Sequence, residues 1–113
     1  MPSQGTHDAA DGPSHDRTAA HLPEIIDIVL EYPQVADPQF RQLIVSMLPR
    51  SLGERIRRLA APRPDVASIV HTCSRNADDL WSLVSVLRVL SVIPTVTTAL
   101  EAAVVKAVGP PRP

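Results

Sequence analysis

This sequence predicts an all-α protein, a compact bundle of six short helices. Three observations predict it. Apolar residues recur at three- and four-residue spacing instead of alternating, as in helices with one buried face. The chain carries 12 prolines against 4 glycines, and most of the prolines sit at the edges of apolar segments, where proline starts or stops a helix. The composition is 44% hydrophobic but only 3% aromatic. Leu, Val, Ile and Ala must therefore build the core, which suits packed helices.

The stretch Leu80 to Ile93, LWSLVSVLRVLSVI, is predicted to run through the middle of the bundle. At 100° per residue Leu80, Leu83, Leu87 and Leu90 gather on one face, with Val86 and Ile93 at its edge. Arg88 and Pro94 interrupt it too soon for a membrane span.

Residues 1–21 are predicted to form a disordered tail. Met1 is the one bulky apolar side chain in the first twenty residues, too little to offset the entropy of ordering them. His7, His15 and His21 are irregularly spaced and read as solvated side chains, not metal ligands.

The folded domain is expected over 22–108. Helix one covers about Leu22 to Tyr32. Pro23 suits a first helical position and Glu24 complements the helix dipole. Leu22, Ile25, Ile26, Val29 and Leu30 form its apolar stripe, and Pro33 ends it. Helix two opens on the cap Asp37 with Pro38 behind it and runs to about Leu48. Phe40, Leu43, Ile44, Met47 and Leu48 are its expected buried stripe.

Ser51 and Glu54 predict a capping box for helix three, with Leu52, Ile56 and Leu59 inward and Arg55, Arg57 and Arg58 in water. Pro62-Arg63-Pro64 reads as a rigid break before helix four, about Pro64 to Ser74, whose core side is Val66, Ile69, Val70 and Cys73. Asn76 is a C-terminal stop, and Asp78 or Asp79 leads into helix five. Helix six runs from Pro94 or Thr95 to Val108, ended by Gly109 and Pro110. Residues 109–113 read as a proline-rich tail or linker start.

No constellation for catalysis stands out. His71 and Cys73 are two apart on one helix and point to different sides. There is no nucleophile elbow, glycine-rich phosphate loop or paired carboxylate on an evident cleft. The reading is a non-enzyme with no cofactor. A single cysteine, Cys73, and an acidic, polar N-terminus without a signal-peptide pattern point to the cytoplasm.

Charge is unevenly distributed along the chain. Residues 1–40 hold seven acids and one base, and residues 41–63 hold six bases, all Arg, and one acid. An acidic helix one (Glu24, Asp27, Glu31) and a basic region (Arg41, Arg50, Arg55, Arg57, Arg58) can meet head to tail between molecules. An ordinary solvated surface is the competing reading. Arg in place of Lys favours an interface. Trp81 and Arg88, seven apart at the margin of helix five, are further interface candidates. Trp81 alternatively folds over helix one or six as a rim side chain. Helices two and three as a helix-turn-helix rank lower, because the net charge is −1 and base-reading groups beyond arginine are few.

DPQFRQLIVSMLP at 37–49, RPDVASIVHTC at 63–73 and LWSLVSVLRVL at 80–90 together resemble the effector-associated domain family, type two, of bacterial conflict systems, over roughly residues 22–107. Asp37-Pro38, Phe40-Arg41 and Arg88 match the family pattern; Trp81 and Asp78-Asp79 depart from it. The resemblance implies a death-domain-like six-helix bundle that associates homotypically. It would bring an effector to a sensor or NTPase carrying a similar helical adaptor, and it implies no catalytic residues. A homo-oligomer or filament would follow from such pairing, and neither a membrane nor a nucleic acid is an expected partner. A helical regulatory module for an unrelated protein is the alternative.

Overall fold

A computed structural model describes residues 18–90 and 93–111. Among the described residues the chain is all-α: six α-helices and one 3₁₀ turn, with no strand. Helix α1 covers 18–29, α2 Pro38–Met47, α3 Arg50–Arg55, α4 Pro62–Cys73, α5 Ala77–Leu90 and α6 Pro94–Val108.

The N-terminal boundary differs from the expected one. Residues 18–21 are already helical, and the Thr18 hydroxyl donates to the Ala107 carbonyl at 3.2 Å. The rest of the expected tail lies outside the described residues. Helix α1 also ends sooner than Tyr32. Tyr32 precedes Pro33 and is held extended, at φ −71° and ψ 118°, because the proline ring crowds a helical residue before it. The last turn therefore tightens to three-residue spacing, and the 3₁₀ turn Pro33–Ala36 follows.

The Asp37 carboxylate accepts the Gln39 N–H at 2.9 Å, as expected of a cap, and Leu48 turns extended before Pro49. Helix α3 departs from expectation. It starts at Arg50 with no side-chain cap, so Ser51 already lies inside it. Glu54 pairs with Arg50 at 3.2 Å instead of closing a capping box. Gly53 lets α3 approach α2, since a Cβ there would stand 3.2 Å from the Val45 carbonyl oxygen. The break before α4 falls at 56–61. Pro62 and Pro64 lie in the first turn of α4, where a missing N–H leaves no helical bond unmade. Asn76 accepts the Asp78 N–H at 2.8 Å and so caps α5 instead of ending α4. Gly109 closes α6 at φ +86°, with its N–H on the Val105 carbonyl.

Helix α5 occupies the expected middle place, packed against α2, α4 and α6. Leu80, Leu83, Val84 and Leu87 are fully buried on it, joined by Ile25, Leu52, Val70, Leu100 and Val104. Tyr32 and Thr97 share a buried hydroxyl–hydroxyl hydrogen bond of 2.6 Å, which fixes the end of α1 to α6. On α2 the buried stripe is rotated from the expected one. Arg41, Ile44 and Leu48 point inward, while Leu43 and Met47 are 44% and 42% exposed and Phe40 is half-buried. Leu59, also expected inside, is 39% exposed.

Candidate interaction surface

Ten side chains were expected at a protein interface, and the structure divides them. Arg41 is corrected outright: it is buried to 1% exposure. Its placement follows from its partners. Nε donates to Asp65 Oδ2 at 2.7 Å, Nη1 to the carbonyls of Val35 and Ala36, and Nη2 to that of Ala60. Asp65 is equally buried and accepts a bidentate fork from Arg58, at 2.9 and 2.7 Å, and the Leu59 N–H at 3.0 Å. Both charges are thus hydrogen-bonded as well as paired, which a buried ion pair requires. The Arg58 fork holds the Asp65 carboxyl well below the usual carboxylate range. Burial opposes this, and the Leu59 N–H and Arg41 assist it. The same contact raises the Arg58 guanidinium further above its ordinary value. The Arg41–Asp65 pair so joins α2, the 3₁₀ turn, the 56–61 segment and α4.

Most of the remaining charges are paired within the chain. Asp27 meets Arg63 at 2.7 Å, and Glu24 lies 3.7 Å from Lys106 and 3.5 Å from His21. Arg55 is 3.5 Å from Asp79, and Arg88 donates from Nε to Glu101 at 3.0 Å and from Nη2 to the same oxygen. The acid-to-base attraction expected between molecules is therefore partly met inside one, by α1 against the start of α4. Glu31 and Arg57 are exposed and form no ion pair among the described residues. Arg50 is the most open of the paired cations, its side chain 92% exposed beside Glu54.

Trp81 is half-buried, and its indole N–H donates to the Gly109 carbonyl at 3.0 Å. It lies across the end of α6, the rim placement weighed for it. His71 is exposed while Cys73 is buried, so the two do not act together. Burial, with the nearby Asp79 charge, pushes the Cys73 thiol up to about 12. No group of three His, Cys, Asp or Glu side chains among the described residues is placed to hold a metal ion. No described helix is long and apolar enough to cross a membrane.

Sequence reasoning missed the outer face of α2. Leu43 and Met47 share it with Gln39, Gln42 and Ser46, all exposed. The available signal was that Arg41 is the only charged residue in PQFRQLIVSM, so burying it leaves that face without charge.

A family model described as Effector-associated domain 2 matches residues 26–105, which reach from α1 into α6 and make up more than half of the chain. Comparison with curated proteins and with solved structures finds no match.

Proposed function

Because this chain belongs to the effector-associated domain 2 family, we propose that it is a non-enzymatic adaptor of a bacterial conflict system. It recruits an effector to a sensor or NTPase partner by pairing with a similar helical module. The observation that carries this reading is the extent of the family match, which takes in residues of every helix. The bundle itself is then the module, and its work lies on its outer surface. Pairing of like modules raises the effective concentration of whatever each carries.

The exposed charges fit an orienting role in this mechanism. Glu31, Arg57 and Arg50 are the open members of the expected set, and charges at an interface rim set encounter rate and orientation more than final affinity. The partner is a protein, the compartment the cytoplasm, and neither membrane nor nucleic acid takes part.

Sedimentation velocity on the purified chain tests the reading. Concentration-dependent association of the chain with itself, or with a second domain of the same family, is the expected result. Persistent monomers in both experiments, together with capture by an unrelated protein, would replace homotypic pairing with a regulatory-subunit role. Tight binding of duplex DNA would point to a helix-turn-helix instead.

A further inference from the structure

The outer face of α2 exposes two large apolar side chains and no charged one. Charged residues make up 20% of the sequence, yet the exposed positions of this ten-residue helix are Gln39, Gln42, Leu43, Ser46 and Met47, with Pro38 at its start. The helix's one charge, Arg41, is turned inward onto Asp65. At 100° per residue Leu43 and Met47 stand side by side, next to the half-buried Phe40. The apolar pair therefore continues into the core at one edge and is bordered at the other by Ser46 and two amides, of which Gln42 accepts a hydrogen bond from Arg58 Nη1.

From this we infer that the α2 face is where a second copy of this chain docks, through a two-fold contact of α2 on α2. The charge pattern selects the occupant. In a two-fold contact a patch meets itself, so any charge near its axis faces its like. The exposed residues of α2 carry no charge and so avoid that repulsion, and the Arg58 guanidinium at the Gln42 edge is matched by Asp65. The depletion of charge and the presence of Met are also the composition of interface centres. Charged surfaces elsewhere are poorer candidates, because Asp27, Glu24, Arg55 and Arg88 already have partners within the chain. Glu54 and Arg50, just beyond the helix, supply a polar rim of both signs. This inference rests on the homotypic reading above and names the surface that reading uses.

The test uses two charged versions of the full chain, Leu43→Glu/Met47→Glu and Leu43→Lys/Met47→Lys, each checked by circular dichroism for unchanged helicity. Sedimentation equilibrium should show native self-association that persists between about 0.05 and about 0.5 M salt, because an uncharged contact is not screened. Each variant alone should associate at least about tenfold more weakly, since like charges then face each other across the axis. An equal mixture of the two should recover a one-to-one complex, which follows only if the face meets its own copy. Native association that neither variant weakens would overturn the α2 surface while leaving homotypic pairing intact. Weakening in both variants without recovery on mixing would overturn the two-fold contact. A native chain that never self-associates would overturn the homotypic reading itself.

Discussion

Asp65 accepts from Arg58, Arg41 and the Leu59 N–H while wholly out of water, so its removal strands two guanidinium groups. Asp65→Asn should cost about 3–5 kcal/mol, as for other buried pairs broken from one side. That is a large part of the ~5–15 kcal/mol that holds a domain together, and urea unfolding would measure it. The pH dependence follows from the direction of the shift. The folded carboxyl titrates lower than the unfolded one, so its stabilisation is complete above the unfolded value of about 4 and is lost as pH falls below it. Native protein should weaken progressively on acidification in that range, and the Asn variant should lack this part of the slope. Cys73 makes the opposite case. Its thiol is buried and pushed up to about 12, and the thiolate is the reactive form. Alkylation near neutral pH should proceed only at the rate of unfolding, so labelling that outpaces unfolding would show a more open helix α4. Nothing in the sequence around Asp65, an acid in the first turn of α4, marks it as buried. Its partners come from α2 and the 56–61 segment, and no local spacing connects them.

Helix α5 was legible because its signal is redundant. Four leucines at helical spacing mark the same face, and an error at one position would not move it. Leu83→Ala and Leu87→Ala should each cost about 2–5 kcal/mol, since both are buried at the centre of the bundle. Losses of that size in thermal or urea unfolding would place α5 in the core by energy as well as by position. Helix α2 was harder to read. Its apolar residues describe two faces that overlap, one through Ile44 and Leu48 and one through Leu43 and Met47. Only the buried ion pair of Arg41 decides between them, and hydrophobic periodicity does not register an inward arginine. Proline likewise marked helix edges without saying which side of the edge it lay on, so Pro62, expected in the break, opens α4 two residues before the expected start at Pro64. Trp81 belongs to this scale too. Trp81→Ala removes a half-buried ring and its bond to Gly109. It should cost about 1–3 kcal/mol, less than a core aromatic, and should speed amide exchange at the end of α6 more than in α4.

For the molecule as a whole, surface electrostatics should contribute little to stability. The ion pairs at Asp27–Arg63, Arg50–Glu54 and Arg88–Glu101 lie at the surface, with only Glu101 partly covered, and such pairs contribute at most about 1 kcal/mol each. Thermal melts at low and high salt should therefore differ by only a few degrees, while the shielded Arg41–Asp65 pair is untouched. The hydrogen bond from Thr18 to Ala107 carries a separate consequence. It sets the first described turn of the bundle beside its last, so the backbone almost closes on itself. A chain re-ligated there by a short glycine-rich bridge, and opened instead at the exposed Arg75 between α4 and α5, should fold to the same bundle. A passenger joined directly at Thr18 or just after α6 would also leave from one pole of the bundle. Transferring it from the front of the domain to the back would then hardly alter where it is carried.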